Sequence, residues 1–211
     1  MNTDDLIRAL SADTAPVRPL TTSLLLGLVP AVGFACIAVW TVLGFRPDLA
    51  QSAFAPVSAA RFVLTGALAI AGLRISLALA RPDGRMQTRL WPMAFIGAIA
   101  LGLLIWAFAT TPADARQMAV TGKTMTACLI SIPLLAILPV ASIFAMLRHG
   151  ATTWPRLASM VAGLTGGGAA AAVYALHCTE DNPLFYVTWY GLAIAGVTLA
   201  ATLIGPRLLR W

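Results

Sequence analysis

The chain has 211 residues, of which 59% are hydrophobic and only 10% are charged. One soluble core cannot bury so much apolar surface, so the composition excludes an ordinary soluble domain and predicts an all-α integral membrane protein. The net charge of +6 would suit nucleic acid, but the basic residues are scattered between apolar runs. Their placement favours a role in membrane orientation and argues against direct binding of nucleic acid.

A polar segment, residues 1–22, comes first. Pro16 and Pro19 separate its front piece, Asn2 to Asp13, from the first apolar run. This piece has the marks of a short amphipathic helix, in which Thr3 is expected to cap the first turn. Acidic residues favour its positive end and apolar residues share one face: Asp4, Asp5, Leu6, Ile7 and Leu10.

About a dozen residues cannot hold a stable helix alone in water, so we expect this front piece to fold against another surface. Three surfaces remain open, namely a membrane, the protein's own helices and a partner protein. The acidic start argues against an anionic membrane surface, where basic residues would be expected.

Six apolar runs follow, and each is about long enough to cross the hydrocarbon core of a bilayer. We therefore predict a bundle of six transmembrane helices over residues 23–211, with connections too short to hold a soluble domain. The predicted spans are Leu24–Gly44, Ala59–Leu79, Trp91–Ala109, Thr124–Leu147, Leu157–Leu176 and Tyr186–Ile204.

The basic residues between these spans are shared unevenly between the two sides of the membrane. One side collects Arg8, Arg18, Arg81, Arg85, Arg89, Arg148, Arg156, Arg207 and Arg210. The other side collects only Arg46, Arg61, Arg116 and Lys123. Because excess positive charge marks the cytoplasmic side, we predict a bacterial inner-membrane protein with both termini in the cytoplasm. The loops 45–58, 110–123 and 177–185 then face an oxidising periplasm.

The spans themselves carry few ionisable side chains. None of them contains Asp or Glu, which argues against a proton-coupled transporter. Arg74 and Arg61 lie near opposite ends of the second span, and both are expected to extend along the helix towards water. Gly163 and Gly167 have the spacing that lets two helices touch, so close packing within the bundle is expected, with a homodimer face as the alternative.

The last predicted outer loop, residues 177–183, holds most of the chain's remaining chemistry. It combines an imidazole, a thiol and two carboxylates, with no Lys or Arg beside it in the sequence: His177, Cys178, Glu180 and Asp181. Cys128 is predicted to lie about one turn inside the outer end of the fourth span, at the same membrane face. Cys36 lies in the middle of the first span, where a packing role is expected.

Three interpretations of the outer thiols remain open at this stage. Cys128 and Cys178 could form a disulfide, if their Cα atoms come within about 4.4–6.8 Å. They could instead hold a transient soft ion such as Cu(I), with His177, Glu180 and Asp181 as auxiliary ligands. They could also be inert. The sequence has no CxxC pair, no zinc-like ligand spacing and no hydrolase or phosphate-loop motif, so neither an enzyme nor an obligatory cofactor is predicted.

Two end motifs and the number of spans carry a resemblance to a known family. The run from Asp4 to Leu10, the six spans, and the run from His177 to Phe185 followed by Trp189-Tyr190 together resemble the NrsF family of proteobacterial membrane anti-sigma factors. The resemblance covers nearly the whole chain, and the end motifs are fairly specific in combination. Thr179 stands where Pro is common in that family, a departure that leaves the thiols in place.

The resemblance implies a partner and a stress signal. In the family, the cytoplasmic N-terminus holds an extracytoplasmic-function sigma factor of the SigF type, which controls transcription. The matching positions here are Asp4, Asp5, Leu6, Ile7, Arg8 and Leu10. Two periplasmic cysteines answer heavy metals or oxidants in the family, and Cys128 and Cys178 match that pair. Sequestration at rest and release after the thiols react are the function that the resemblance implies.

Two other classes of protein remain as alternatives. A small multi-pass permease would need a polar path, and the spans offer few polar side chains beyond Ser and Thr. A membrane thiol oxidoreductase would use the same two cysteines, usually with a CxxC partner or with a quinone or haem site. His149 and His177 are the only histidines in the chain, which leaves little for haem ligation.

Overall fold

The structure is a computed structural model, and it describes residues 2–12, 19–81 and 90–209. Across these residues the chain forms helices, turns and short connections, with no β-strand. Four of the basic residues used to orient the chain lie outside the described residues: Arg18, Arg85, Arg89 and Arg210.

The helices of the described ranges follow one another with short connections. Their bounds are α1 Thr3–Ala12, α2 Leu20–Ala38, α3 Leu49–Phe54, α4 Pro56–Leu79, α5 Trp91–Thr110, α6 Arg116–Thr121, α7 Met125–Arg148, α8 Pro155–Tyr174 and α9 Pro183–Leu208. A π-helical turn, Val39–Leu43, extends α2 and ends at Gly44. Gly44 has φ 77°, a backbone conformation that costs glycine little and other residues more.

Six helices in this part of the chain are long and apolar enough to cross a membrane, which confirms the predicted number. Four of them begin two to four residues earlier than predicted, as at Leu20 in place of Leu24, whereas α5 begins at Trp91 as predicted and α7 begins one residue late, at Met125. Hydropathy marks only the apolar middle of a helix, whereas proline stabilises its first turn. Pro56, Pro155 and Pro183 each stand at the start of their helix, outside the predicted span.

The centre of the bundle is α8, which packs against α4, α7 and α9. Of the residues in the most apolar stretch of α8, 72% are buried, compared with 6% in the corresponding stretch of α5. A Cβ atom on Gly163 would lie 2.6 Å from the Cα of Thr198 in α9, and one on Gly166 would lie 3.0 Å from the backbone nitrogen of Val140 in α7. The predicted close packing of the small-residue helix within the bundle is therefore confirmed.

The N-terminal helix α1 begins at Thr3, one residue later than predicted, and a different residue stands at its start. The carbonyl oxygen of Asn2 accepts hydrogen bonds from the backbone N–H groups of Asp5 and Leu6 at 3.1 and 3.2 Å. Asn2 therefore stands at the start, and the prediction that Thr3 caps the helix was wrong, because Thr3 lies within its first turn. The side chains of Leu6 and Ile7 are 43% and 58% exposed.

Two short helices, α3 and α6, occupy connections that were expected to be plain loops. They lie at the same end of the bundle as Cys178. We use the name thiol end for this end, which carries the connections 44–55, 111–124 and 175–182. The connection 175–182 is central there, because contacts from both of the others converge on it.

Candidate thiol sensor site

Cys128 and Cys178 lie next to each other inside the thiol end. Cys128 is the fourth residue of α7, and Cys178 follows α8 by four residues. Both side chains are 0% exposed and both thiols are free. The two thiols are neighbours in one buried cluster. The sequence prediction that these cysteines share one face of the protein is therefore consistent with the structure.

Hydroxyl groups surround the two thiols. The Cys128 thiol donates to the Tyr174 hydroxyl oxygen at 3.6 Å. On the other side of the pair, the Thr124 hydroxyl lies 3.8 Å from the sulfur of Cys178. Tyr190 contributes a third, fully buried hydroxyl next to Cys178. The pair thus occupies a small polar pocket within an otherwise apolar cluster.

Local sequence fixes the connection that carries Cys178. At its start, the backbone N–H groups of His177 and Cys178 donate to the Tyr174 carbonyl at 3.0 and 3.2 Å, which closes the last turn of α8. At its end, the Asn182 side chain accepts a hydrogen bond from the Leu184 N–H at 2.9 Å and caps α9. Pro183 follows at the first helical position, where it has no N–H to satisfy.

Arg46 joins the connection 44–55 to the Cys178 loop. Its Nη1 donates to the Cys178 carbonyl oxygen at 3.1 Å and to Asp181 Oδ1 at 2.8 Å, and its Nη2 donates to Asp181 Oδ2 at 3.0 Å. The guanidinium also donates twice to Asp48, at 2.7 Å each. Two bidentate pairs on one buried guanidinium hold its plane in a fixed orientation.

Arg61 approaches the same loop from the first turns of α4. It is 0% exposed, donates from Nη1 to the Glu180 carbonyl oxygen at 3.0 Å, and pairs with Asp181 at 3.2 Å. The expectation that Arg61 extends along its helix towards water was wrong. A buried guanidinium is tolerated here because the loop supplies a carboxylate and a carbonyl. Arg74, by contrast, is exposed, as expected.

These contacts shift the acid–base equilibria of the loop residues. Hydrogen bonds to Asp48 and Asp181 raise the pKa of Arg46, which therefore stays charged. The Arg46 guanidinium lowers the pKa of Asp48 to about 2. Burial alone would raise the pKa of Asp181, but the hydrogen bonds and charge of Arg46, together with the charge of Arg61, lower it.

The surroundings of Cys178 lower the pKa of its thiol, as expected for a reactive cysteine. Interaction with the neighbouring Cys128 side chain lowers the pKa of Cys178, although burial opposes the shift. The Tyr190 hydroxyl, the backbone N–H of Glu180 and the Thr124 hydroxyl act in the same direction. A lowered pKa favours the thiolate, which is the nucleophilic form of cysteine.

The other predicted auxiliary residues have protein partners of their own. His177 Nδ1 lies 2.9 Å from the Gly44 carbonyl oxygen. Glu180 accepts a hydrogen bond from the backbone N–H of Lys123 at 2.8 Å. Within residues 2–12, 19–81 and 90–209, no group of three or more His, Cys, Asp or Glu side chains is arranged to hold a metal ion. A soft ion at this site would rely on the two thiols.

Sequence reasoning missed the charged frame around the thiols. It noted that the loop has no basic neighbour in the sequence, but the fold brings Arg46 and Arg61 against it. It also missed Tyr174 and Tyr190, which line the thiol pocket. One signal was available for Arg61, because a charged residue within an apolar span usually faces a partner inside the bundle.

The fold and the site together define a helical bundle protein with membrane-length helices and a buried pair of free thiols at one end. The sequence profile of the NrsF family, described as negative regulator of sigma F, matches residues 10–211. The chain is 33% identical to the anti-sigma-F factor NrsF of Caulobacter vibrioides (strain NA1000 / CB15N). It is 31% identical to the probable anti-sigma-F factor NrsF of Azospira oryzae.

Both alignments cover the whole of this chain and the whole of the relative. No solved structure has a significant match to it. The chain therefore belongs to the NrsF family, and it is a negative regulator of a sigma factor. The resemblance found in the sequence is confirmed. This family contains regulators, so the comparisons give no support to the alternatives of a permease or a thiol oxidoreductase.

Proposed function

We propose that the chain is an inner-membrane anti-sigma factor with a thiol switch. It holds an extracytoplasmic-function sigma factor at the cytoplasmic face and releases it when Cys128 and Cys178 react on the periplasmic side. The family and the names of two full-length relatives support the sigma partner. The observation that carries the switch is the placement of two buried, free thiols side by side in one cluster.

The N-terminal helix α1 is the element that holds the sigma factor in this proposal. Leu6 and Ile7 lie side by side on α1 with 43% and 58% of their surface exposed. Amphipathic helices commonly bind by laying such a face into an apolar groove. Complete burial of one such side chain contributes about 1.5–3 kcal/mol. Asp4, Asp5 and Arg8 flank this face and would set the orientation of the helix.

With an oxidant such as hydrogen peroxide, the switch is a two-step dithiol oxidation. The Cys178 thiolate attacks one peroxide oxygen and becomes a sulfenic acid, and the first water leaves. The Cys128 sulfur then attacks the sulfur of Cys178, a disulfide forms and the second water leaves. Two thiols and one peroxide thus become one disulfide and two waters. The shared buried cluster places the Cys128 sulfur beside that of Cys178.

With a thiophilic metal, the same two sulfurs would act as ligands. Cu(I) prefers soft thiolate ligands, and binding requires that both thiols lose their protons. The lowered pKa of Cys178 favours that loss. His177 and Asp181 would have to leave the Gly44 carbonyl and the two arginines before they could join such a site.

The experiment that tests the proposal follows a sigma-dependent reporter gene after addition of peroxide or copper. Cys128→Ser and Cys178→Ser should each keep the reporter silent after induction, because a link needs both sulfurs. Cys36→Ser is the matched control and should respond as wild type, since Cys36 lies apart from this pair in a separate apolar cluster. Normal induction in the Cys128→Ser, Cys178→Ser double variant would refute the thiol switch.

The same reporter tests the holding step. Leu6→Asp with Ile7→Asp should give high reporter activity without an inducer, because both substitutions put charge on a face that must be desolvated. Leu6→Met with Ile7→Leu changes the same two positions without adding charge and serves as the control. A double variant that represses as well as wild type would exclude this face as the sigma-binding surface.

A further inference from the structure

We propose that α2 carries the state of the thiol pair to the N-terminal helix, and that Arg46 is the positioning residue that couples α2 to the Cys178 loop. This inference rests on the proposed function, because it takes the Cys128–Cys178 reaction as the trigger. It identifies α2 as the helix that transmits the signal. It also identifies Arg46 as a residue whose substitution should leave the thiol reaction intact but impair release of the sigma factor.

The outer end of α2 is attached to the Cys178 loop at several points. The Arg46 backbone N–H donates to the Leu176 carbonyl oxygen at 3.0 Å, and His177 Nδ1 lies 2.9 Å from the Gly44 carbonyl oxygen. The Arg46 side chain adds its hydrogen bond to the Cys178 carbonyl and its bidentate pair with Asp181. Any displacement of Cys178 therefore acts directly on the residues that end α2.

The trigger itself moves this carbonyl. To form a disulfide, these two neighbouring sulfurs must approach to a sulfur–sulfur distance of about 2.05 Å. The closing movement is roughly 1–2 Å and falls on the loop residue, because Cys128 belongs to the regular helix α7. Shifts of this size switch packed helices between discrete arrangements.

The helices α2, α4, α7 and α9 all meet the Cys178 loop, and α2 differs from the other three in how it packs within the bundle. Helices α4, α7 and α9 all pack extensively on the central helix α8, whereas the main partner of α2 is α7. Only 17% of the apolar window of α2 is buried. Its contact with α7 includes Gly27, whose carbonyl oxygen accepts a hydrogen bond from Ser142 at 3.1 Å. A helix with few large buried side chains is the easiest of the four to displace.

The order of the helices along the chain also favours α2 as the helix that transmits the signal. Helix α1 ends at Ala12 and α2 begins at Leu20, so the sigma-binding face precedes α2 by a short stretch of sequence. A shift of α2 therefore moves the point at which the N-terminal segment is attached to the bundle. The helices α4, α7 and α9 have no such covalent path to α1 except through other helices.

Two other arginines at the thiol end provide matched comparisons. Arg61 contacts the same loop but belongs to α4, which packs on α8. Arg116 donates to the Thr111 carbonyl at 3.1 Å and lies over the ring of Phe108, near the end of α5, at 4.3 Å. Arg116→Gln removes one positive charge from the thiol end without touching the Cys178 loop.

The test uses the full chain in lipid nanodiscs with its sigma factor bound, in a Cys36→Ser background. Peroxide is added, the Cys128–Cys178 crosslink is quantified by mass mapping, and released sigma factor is measured. Arg46→Gln should form the crosslink as wild type does but release at least tenfold less sigma factor. Arg116→Gln should match wild type in both measurements. Crosslinking and release at wild-type levels in Arg46→Gln would overturn the proposal.

Failure of the proposed function has a different signature. In that case the Arg46-containing protein would form the crosslink and keep its sigma factor, or would form no crosslink at all. If Arg46→Gln does not fold or does not bind sigma factor, hydrogen–deuterium exchange of the Arg46-containing protein decides instead. Crosslinking should then change exchange in peptides from Leu20 to Gly27 and leave α5 unchanged, whereas an unchanged α2 would overturn the proposal.

Discussion

Asp181 illustrates how this chain places charge inside a largely apolar bundle. Its carboxylate pairs with both Arg46 and Arg61, whose side chains are 1% and 0% exposed. Removing one member of a buried ion pair leaves an uncompensated charge, which costs about 3–5 kcal/mol when the group is fully buried. The Asp181 side chain is itself 39% exposed, so water offsets part of that cost. The network therefore holds the loop in one geometry more than it stabilises the fold.

The reactivity of Cys178 should persist at lower pH than that of an ordinary cysteine. Because its pKa is lowered from 9.0, the thiolate is present above the lowered value and is lost as the pH falls through it. We expect the rate of peroxide reaction at Cys178 to reach half its maximum below pH 9.0 in a Cys36→Ser background. Mass mapping of the Cys178 peptide over a pH series gives this rate.

Thr124→Val provides the comparison for the pH series, because it removes one donor that stabilises the thiolate. Its midpoint should move to higher pH than that of the parent chain. A parent midpoint at or above pH 9.0 would contradict the assignment of Cys178 as the first sulfur to react.

At the scale of elements, the central helix α8 packs closely against its neighbours because glycines occupy its contact positions. Four glycines of α8 face α9, α7 and α4 at distances that leave little space for a side chain: Gly163, Gly166, Gly167 and Gly168. Without a strong hydrophobic drive between helices in lipid, such close approach provides the packing that holds helices together. The small-residue spacing in the sequence predicted this contact, but it could not say which helices would supply the other surface.

Gly163→Ala should destabilise the bundle, because its new Cβ would lie 2.6 Å from the Cα of Thr198. Overpacking of this kind costs about 1–3 kcal/mol. Gly191→Ala is the matched control, since nothing lies within 4 Å of its Cβ position, and alanine there should be neutral or stabilising by up to about 1 kcal/mol. Unfolding in detergent with increasing denaturant compares the two. Equal stability of both variants would show that α8 and α9 accommodate the added methyl group without loss of stability.

Elements that hydropathy cannot detect were the ones that sequence analysis missed. The short helices α3 and α6 carry mixed polar and apolar residues over only six positions each, too few for a clear period. Contacts fix them instead, as when the Trp189 indole N–H donates to the Val120 carbonyl at 2.6 Å. Gly122, with φ 53°, brings this connection against Phe185, where a Cβ would lie 2.5 Å from the ring. Such long-range contacts leave no local pattern in the sequence.

At the scale of the whole molecule, its orientation rests on where the arginines lie. The thiol end carries Arg46 and Arg61 in buried ion pairs, so their charge is largely compensated there. The described basic residues Arg81, Arg148, Arg156 and Arg207 lie at the opposite ends of their helices. The expected orientation follows from the larger number of Lys and Arg residues on the side opposite the thiol end.

Labelling from the two sides of the membrane tests this orientation. In a cysteine-free chain, single cysteines at Ala115 and Thr179 should react with a membrane-impermeant maleimide in intact cells, because both positions are exposed at the thiol end. A cysteine at Thr153, exposed at the other end, should react only after permeabilisation. The opposite pattern would place the thiol pair in the cytoplasm and remove the periplasmic switch.

The complete burial of Cys128 and Cys178 has a kinetic consequence. A reagent reaches either sulfur only after the loop has opened, so the loop acts as a gate in series with the chemistry. At low oxidant concentration the response rate rises in proportion to the dose, and at high concentration it levels off at the opening rate. The gate also selects by size, so that peroxide or a bare metal ion passes at smaller openings than a bulky disulfide such as oxidised glutathione. In the proposed switch, the maximum rate of the response is therefore set by the protein and not by the oxidant.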